Sequence, residues 1–464
     1  MIRRIFTFAC IVLAFYGFTV VSQGCGQIGF PTGGVKDSLA PVLVKSSPEV
    51  KALNVTGNKI NLTFDEYVEV VDAQNNVQVS PLPKSNPSIN YNLKTVTVRL
   101  KDTLLPNTTY SINFGDAIKD VNEGNVFKNF TYVFSTGNSI DSAAFSGKVV
   151  LAETGLVDST ITVILYRNLA DSAVQKLRPG YQTRIKGDGI FRFTNLPPGQ
   201  YNVYALKDGD GNKYYNIKTE LFAFHDSPVT IGDSSTPVTL YAYAEEKMKD
   251  NKTPSVLKPA AEKTFRYKAS LLGTQDLLAS LDLSFNRPLK SFDSNKIILT
   301  DTNYNKIAAV QYKLDSTDKI LSLRPQVWTP GESYVLLVPK DGVTDTTGAM
   351  LAKSDTLRFK AKEEKEYARI LLRFKGLDLA KNPVLQLVNN EQIAAAYPLA
   401  GNEWSNNMFP PGEYNIRILY DDNKDGVWTP GSYKEKRPPE KAITLPQKLS
   451  LRANWDNERD IELK

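Results

Sequence analysis

The segment PPGQYNVYALKDGDGN occupies residues 197–212, and a close variant, PPGEYNIRILYDDNKD, occupies residues 410–425. Each copy places a Pro-Pro-Gly turn before an alternating apolar run, which starts at Tyr201 in the first copy and at Tyr414 in the second. Such a turn often precedes a strand, and the alternation is typical of a strand with one buried face. Because the copies agree in order and spacing, we predict two copies of one β module, called the B modules.

A different pattern precedes each B module. The segment LPNTTYSINFGDAIKDVNEGNV (105–126) has a counterpart in TPGESYVLLVPKDGVTDTTGAM (329–350), and short alternating apolar runs flank both. Short strands bounded by turn residues are typical of a β-sandwich. We call these segments the A modules and predict an all-β fold of tandem β-sandwich domains in the order A-B-A-B.

The length of the chain supports several domains. Its 464 residues are too many for one hydrophobic core, and its 22 Tyr and 21 Phe against one His are typical of aromatic-rich strands. The predicted boundaries are signal peptide 1–24, lipid-anchored flexible tether 25–40, first A module 41–137, first B module 138–245, linker 246–263, second A module 264–362 and second B module 363–464.

Duplication of the B modules makes a specific structural prediction. Superposition should place Tyr201 on Tyr414 and Phe191 on Trp404, because each pair is separated by the same number of residues. Alternating strand residues of this kind face the interior of a sandwich. We therefore expect all four side chains to lie in hydrophobic cores.

The amino terminus has the features of an export signal. Arg3 and Arg4 precede an apolar run over residues 5–21, and Gly24 precedes Cys25. A secretory signal fits this pattern, and a transmembrane anchor is the alternative because the run is just long enough to span a bilayer. The segment resembles a bacterial lipoprotein signal, which implies that Cys25 becomes the acylated first residue and attaches the chain to a membrane.

Cysteine content bears on disulfide formation, and net charge bears on the expected partners. Removal of the signal would discard Cys10, so the mature chain would hold Cys25 alone and could form no internal disulfide. The net charge of +6 falls by two when Arg3 and Arg4 are removed, which points to no particular partner. We expect no nucleic acid among the partners.

Two family resemblances support the module assignments. The A modules, with INLTFDEYV (60–68) and the Pro-x-Thr-x-Tyr and Asp-x-x-Gly elements, resemble the bacterial Ig-like domain of S-layer and envelope proteins. The second copy departs from this pattern, since Asn286 and Arg287 stand in place of Asp65 and Glu66.

The B modules, with GDGIFRFTNLPPGQYNVYAL (187–206), resemble transthyretin-like or carboxypeptidase-regulatory-like sandwiches. The whole chain resembles Ig-like-domain lipoproteins of Gram-negative envelopes. That resemblance implies an outer-membrane location.

The sequence offers little for catalysis. The one histidine, His225, has no Gly-x-Ser-x-Gly motif to form a triad with, and the chain lacks the clusters of zinc sites and the Gly-x-x-x-x-Gly-Lys loop of nucleotide sites. Asp65 and Glu66 are adjacent, so in a strand they point to opposite faces. We predict that the protein is not an enzyme.

The acidic clusters that follow the repeated strands are candidate calcium sites. Calcium prefers several oxygen ligands from a tight loop, and alternate Asp and Asn residues resemble the start of such loops. Asp/Asn/Gly clusters also form ordinary hairpin turns, which is the alternative. The candidate ligands are Asp208, Asp210 and Asn212 in the first copy and Asp421, Asn423 and Asp425 in the second.

The two copies are not expected to bind calcium equally. Gly426 follows Asp425 and permits the sharp turn of a calcium loop, so the sequence favours the second copy. The Glu of a full EF-hand loop is at its place in neither copy: Glu220 lies one residue too late, and Tyr433 lies at the matching place in the second copy.

These features together predict a non-enzymatic cell-envelope lipoprotein that acts as a scaffold or as a protein-binding or glycan-binding module. The competing hypothesis is a carbohydrate-active enzyme, or an accessory glycan-binding subunit, that uses carboxylates without histidine. Two acids converging in a cleft would favour that alternative.

Overall fold

This computed structural model describes residues 36–247, 264–271 and 273–463. The fold is all-β as predicted, with 47% strand and 3% helix, and the described residues divide into two compact units, which lie within 1–140 and 141–464. The predicted signal peptide, Cys25 and most of the tether lie outside the described residues. Residues 36–40 of the tether are exposed and have no regular secondary structure.

The first unit contains the first A module. Its strands are β1 (Leu43–Ser47), β2 (Lys59–Phe64), β3 (Val68–Val70), β4 (Gln78–Ser80), β5 (Ser88–Asn92), β6 (Thr95–Arg99), β7 (Thr109–Gly115), β8 (Ile118–Asp120) and β9 (Phe130–Ser135), with the short helix α1 (Ala73–Asn76) after β3. They form sheets in the orders β1-β2-β6-β5 and β4-β7-β9 and the pair β3-β8. Alternate residues such as Ile60, Leu62 and Phe64 are buried, so the alternation in the sequence marks the inward face.

The second unit begins with the first B module. Its strands are β10 (Ala143–Leu151), β11 (Thr162–Tyr166), β12 (Tyr181–Arg184), β13 (Ile190–Leu196), β14 (Gly199–Leu206), β15 (Phe222–Phe224), β16 (Val229–Ile231) and β17 (Val238–Ala242), with helix α2 (Ala173–Lys176). One sheet has the order β13-β10-β17, in which β10 and β17 are parallel, and the facing sheet has the order β12-β11-β14-β15.

The second A module follows in the same unit. Its strands are β18 (Tyr267–Ala269), β19 (Thr274–Gln275), β20 (Leu281–Phe285), β21 (Leu289–Phe292), β22 (Ile298–Asp301), β23 (Gln311–Leu314), β24 (Ile320–Arg324), β25 (Ser333–Val338), β26 (Val343–Asp345) and β27 (Asp355–Ala361). The orders β18-β20-β24-β23, β22-β25-β27 and β21-β26 repeat those of the first A module, and β19 adds a strand beside β27. The duplicated tyrosines also agree, because the Tyr110 hydroxyl accepts the Leu105 N–H at 2.8 Å and the Tyr334 hydroxyl accepts the Thr329 N–H at 2.9 Å.

The second B module completes the unit. Its strands are β28 (Ala368–Lys375), β29 (Pro383–Asn389), β30 (Gln392–Pro398), β31 (Glu403–Phe409), β32 (Gly412–Tyr420), β33 (Lys441–Leu451) and β34 (Asp456–Glu462), and two 3-10 turns span Glu364–Glu366 and Leu379–Lys381. The sheets β31-β28-β34 and β30-β29-β32-β33 repeat the first B module, with β28 and β34 parallel. The long strand β33 takes the place of the two short strands β15 and β16.

The repeated Pro-Pro-Gly turn has the same structure in both B modules. Tyr201 and Tyr414 are buried, and each hydroxyl donates to the carbonyl of the first proline of its own turn, Pro197 at 2.7 Å and Pro410 at 3.2 Å. A buried tyrosine thus closes the turn that precedes its strand. This part of the repeat builds the fold.

Trp404 is less buried than the sequence predicted, because it packs against the core of its module but is only partly buried. Phe191 is buried opposite Gly147, where an added Cβ would lie only 2.6 Å from the Phe191 ring, so the ring fills the space that glycine leaves. Opposite Trp404 lies Leu372, which is itself fully buried. Because the leucine occupies that space, Trp404 stays partly exposed and packs against Tyr397 with ring centroids 4.8 Å apart.

Candidate functional site

Two acidic loops follow the duplicated strands and hold the residues predicted to bind calcium. The first acidic loop, residues 207–221, joins β14 to β15, and the second acidic loop, residues 421–440, joins β32 to β33. In both loops an aspartate carboxylate close to the strand end accepts backbone N–H groups, which shapes the turn.

In the first acidic loop the predicted ligands share one turn. The Asp208 carboxylate accepts N–H groups from Gly211 and Lys213, both at 2.9 Å. One Asp210 oxygen accepts the Asn212 N–H at 3.1 Å, and the other accepts the Asn212 side-chain amide at 2.7 Å. The structure therefore brings Asp208, Asp210 and Asn212 together as expected.

A fourth side chain, that of Glu220, lies beside these residues, although the sequence pattern did not include it among the ligands. Glu220 is only 6% exposed, and its Oε1 accepts the Gly209 N–H at 3.0 Å. Its Oε2 is buried without a hydrogen-bond partner among the described residues. Burial raises the pKa of Glu220, and the nearby charges of Asp210 and Asp208 raise it further.

Three carboxylates converge at this place. One oxygen each from Asp208, Asp210 and Glu220 lie within 4.8 Å of one another. Asp208 is half-buried, Asp210 is exposed and Glu220 is buried, so the group opens to solvent on one side. We call these three side chains the carboxylate group. Carboxylate oxygens at such spacing repel each other unless a cation or a proton intervenes.

The second acidic loop begins in the same way, but backbone N–H groups of the loop donate to the oxygens of its buried carboxylates. The Asp421 oxygens accept N–H groups from Lys424 and Gly426, both at 2.7 Å. The buried Glu440 accepts the Asp422 N–H on one oxygen at 2.9 Å and the Thr429 N–H on the other at 2.8 Å. Both oxygens of each buried carboxylate are therefore occupied.

The other predicted ligands of the second loop lie at its exposed tip. The Asn423 amide donates to Asp425 at 3.0 Å, and Asp425 also accepts the Val427 N–H at 2.7 Å. In the part of the chain that the structure describes, three clustered carboxylates occur only in the first loop. The sequence favours the second loop as the better calcium site, and this stays a prediction. The structure brings three carboxylates together in the first loop.

The second acidic loop also carries a contact that the sequence did not indicate. Its residues 428–440, here called the arm, reach the first B module, where the Tyr433 ring packs among four aromatic rings at centroid distances of 5.1 to 6.0 Å. These rings form the socket, which consists of Tyr204, Tyr215, Phe222 and Phe224. The outward aromatic residues of β14 and β15 were a signal for such a contact, since they lie on the face away from the core of the module.

Polar contacts fix the arm in the socket. The Tyr433 hydroxyl lies 3.1 Å from the Tyr204 hydroxyl and donates to the Asp171 carbonyl at 2.7 Å. One Glu245 oxygen accepts both the Tyr433 N–H and the Tyr215 hydroxyl at 2.9 Å. Burial raises the pKa of the Tyr433 hydroxyl, which remains a neutral hydrogen-bond donor.

Further contacts join the two B modules next to the arm. Lys436 forms a 2.8 Å ion pair with Asp171. The Ala442 N–H donates to the Ala152 carbonyl at 2.8 Å, which links the start of β33 to the end of β10. The B modules therefore pack against each other although the second A module separates them in the sequence.

The remaining candidates have structural partners. Asp65 accepts the Val42 N–H at 2.8 Å, and the ring nitrogen Nδ1 of His225 donates to the Ser227 carbonyl at 2.7 Å. Burial raises the pKa of Glu66, and the neighbouring charges of Asp120 and Asp65 add to this effect. These contacts explain the residues as parts of turns and strand ends.

None of the helices in residues 36–247, 264–271 and 273–463 is long and apolar enough to cross a bilayer.

Comparison with known families identifies the A modules. The bacterial Ig-like domain family matches residues 37–136 and again residues 254–361. One of the two matched segments lies at each A module. A search of curated protein sequences found no match.

The chain also matches solved structures of low similarity. Native alpha-2-macroglobulin from Escherichia coli, spanning domains MG0-NIE-MG1, is 15% identical, with 40% of this chain and 72% of that chain covered and a TM-score of 0.20. The N-terminal part of the bacterial S-layer protein SbsC is 16% identical, with coverages of 38% and 42% and a TM-score of 0.16. BcpA, the major pilin subunit of Bacillus cereus, is 13% identical, with coverages of 69% and 99% and a TM-score of 0.16.

Proposed function

We propose that the protein is a non-enzymatic scaffold of the bacterial cell envelope, held at a membrane by acylated Cys25, and that its β-sandwich modules bind envelope proteins or glycans. The observation that carries this proposal is the docking of the arm. Tyr433 joins the second B module to the socket of the first, and both B modules lie in one compact unit. A scaffold needs such fixed spacing between its modules.

The energetics of the arm support a lasting contact. Burying one aromatic side chain removes about 150–250 Å² from water, which is worth about 4–6 kcal/mol before the entropy of ordering the arm is subtracted. Tyr433 is 5% exposed and gains hydrogen bonds at its hydroxyl and its N–H. These contacts oppose opening of the B-module pair.

The carbohydrate-active alternative finds less support in the same geometry. Glycosidases hold two carboxyl groups about 5–9.5 Å apart, across a cleft that admits the sugar. The carboxylate group lies within 4.8 Å on a single loop, and both Asp208 oxygens already accept backbone N–H groups. That arrangement suits a small cation better than a sugar ring.

The envelope location rests on the sequence and on the family match. The apolar run of residues 5–21 and Cys25 fit a lipoprotein signal, and two segments match the bacterial Ig-like domain. Stable attachment requires more than one acyl chain, because a single chain binds a bilayer only marginally. An acylated Cys25 with several chains would meet this requirement and leave the modules outside the bilayer.

The anchor can be tested with the two cysteines of the chain. Cys25→Ala should move the protein from the membrane fraction to the soluble fraction and remove the added mass of the acyl chains. Cys10→Ala is the matched control, because Cys10 lies within the predicted signal and should leave attachment unchanged. An unmodified amino terminus by intact-mass analysis would contradict the proposal.

The scaffold itself is tested separately from the anchor. The purified protein should co-sediment with an envelope component, and in intact cells the protein should crosslink to one. The purified protein should release no reducing ends from isolated envelope glycans. Tyr433→Ala should weaken that association, since it loosens the spacing of the B modules. Release of reducing ends that is lost on Asp210→Asn would instead support the enzyme.

A further inference from the structure

The geometry points to a calcium site in the first acidic loop, with Asp208, Asp210 and Glu220 as its protein ligands. This inference is independent of the proposed function, because it rests on the loop alone. It differs from the sequence pattern in one respect: the third carboxylate comes from Glu220, at the far end of the loop.

The spacing of the donors fits a calcium ion. Calcium binds oxygen ligands at about 2.3–2.6 Å, so two ligands on opposite sides of one ion are about 5 Å apart. One oxygen from each of the three carboxylates lies within 4.8 Å of the other two. Small side-chain rotations would bring these oxygens around one ion, and water can fill the open side at Asp210.

The second observation is the buried oxygen of Glu220. Its Oε1 accepts the Gly209 N–H, whereas Oε2 is buried without a hydrogen-bond partner in the described part of the chain. An ionised carboxylate oxygen in this state costs free energy unless a charge compensates it. A divalent cation beside Asp208 and Asp210 would compensate it.

The nearby lysines are engaged elsewhere. Lys207 forms a 2.9 Å ion pair with Asp158, and the Lys213 ammonium group lies 3.5 Å from the side-chain oxygen of Gln182. Neither of these contacts neutralises the carboxylate group. The carboxylate group therefore remains available to an external cation.

The second acidic loop lacks these features. Both oxygens of its buried Glu440 accept backbone N–H groups, whereas Oε2 of Glu220 accepts none in the described part of the chain. These backbone donors stabilise the loop without an ion. Calcium should therefore bind the first loop and leave the second unchanged, the reverse of the order that Gly426 suggested.

A bound ion would also act on the socket of the arm. The first acidic loop carries Tyr215, whose ring stacks on Phe222 with centroids 3.8 Å apart and contacts Tyr433 at 6.0 Å. Ordering the loop around calcium would hold Tyr215 in place. Calcium should thus stabilise the second unit, which contains both the site and the arm.

The test is a calorimetric titration of the chelator-treated full chain with calcium chloride. We expect one equivalent of calcium to bind with a dissociation constant of about 0.1–1 mM, the range of extracellular calcium modules. At a calcium concentration about 100-fold above that constant, the melting temperature of the second unit should rise on the order of 5 °C. Asp210→Asn and Glu220→Gln should each weaken binding at least about tenfold and abolish the rise.

Two control variants remove a carboxylate elsewhere. Asp233→Asn removes an exposed charge from the same module, and Asp425→Asn removes one from the second loop; both should keep full calcium binding. If Glu220→Gln fails to fold, Asp210→Asn decides the result, because Asp210 is exposed. The inference is overturned if calcium produces neither heat nor a melting shift, or if binding survives Asp210→Asn and is lost in Asp425→Asn.

Discussion

The side-chain hydroxyls of Tyr204 and Tyr433 lie 3.1 Å apart, although 229 residues separate these tyrosines in the sequence. Tyr204 points outward from β14 in the first B module, and Tyr433 comes from the arm of the second. Their contact brings together two B modules that the second A module separates in the sequence. The contact therefore joins the two B modules within the second unit.

Truncation of Tyr433 should therefore destabilise the whole second unit. Tyr433→Ala removes a buried ring that contacts four others, and we expect a loss of about 3–5 kcal/mol in the free energy of unfolding. Tyr433→Phe keeps the ring but loses the hydroxyl contacts, so about 1–2 kcal/mol should be lost. Denaturant unfolding followed by tryptophan fluorescence measures this unit, since it holds all 4 tryptophans of the chain, at positions 328, 404, 428 and 455.

Lys436→Ala is a control within the same arm. Its ion pair with Asp171 is partly exposed, and its ammonium group lies 4.0 Å from the centre of the Tyr433 ring. An exposed pair of this kind contributes about 1 kcal/mol or less. A loss as large as that of Tyr433→Ala would show that charge, and not the buried ring, holds the arm.

Gly147→Ala should destabilise the first B module through steric overlap. A Cβ at this position would meet the Val238 carbonyl and would lie 2.6 Å from the Phe191 ring. Overpacking of this kind costs about 1–3 kcal/mol. Gly187→Ala is the matched control in the same module, because nothing lies within 4 Å of a Cβ added there. Equal melting temperatures of the two variants would contradict the explanation given for Phe191 and Trp404.

The two A modules should respond in opposite directions to the loss of one charge. Glu66 lies near Asp120, and its pKa is raised by burial and then by the Asp120 charge. Because the folded state favours the protonated form, ionised Glu66 opposes folding above the unfolded pKa of about 4.3. Glu66→Gln should therefore raise the melting temperature of the first unit at neutral pH, and the gain should disappear below about pH 4.

Arg287, at the place of Glu66 in the second A module, has a favourable contact. Its guanidinium donates to the fully buried Asp345 at 3.0 Å, and a Thr347 hydrogen bond together with this arginine holds the Asp345 pKa below its usual range. The stability from Asp345 is present above its unfolded pKa and is lost as the pH falls. Arg287→Gln should lower the melting temperature of the second unit at neutral pH, as measured by calorimetry. A decrease on Glu66→Gln, or a gain that persists at pH 3, would contradict this account.

Local sequence signals predicted the tandem β-sandwich fold. The alternation of Ile60, Leu62 and Phe64 marks a buried face because side chains in a strand alternate between the two sides of a sheet. The Pro-Pro-Gly turns with Tyr201 and Tyr414 are also local, since each tyrosine bonds a proline four residues earlier. Such features depend on neighbours along the chain and can be predicted without tertiary structure.

The residue on the neighbouring strand decides how deeply a side chain is buried, and the alternation of apolar residues in the sequence does not predict this. The same position is buried as Phe191 and partly exposed as Trp404, because the residue across the sheet is glycine in one module and leucine in the other. Pairing register sets that neighbour, and register follows from the packing of the whole sheet. The sequence predicted which residues correspond but not how deeply each is buried.

The sequence by itself determined the strands, the turns and the places of Asp208 and Asp210, because periodicity and turn chemistry act over a few residues. Only the tertiary structure brought Glu220 to those aspartates and Tyr433 to Tyr204. Both contacts depend on where a long loop ends after the modules have packed. That outcome is set by the burial of apolar surface over the whole second unit, which no short stretch of sequence encodes.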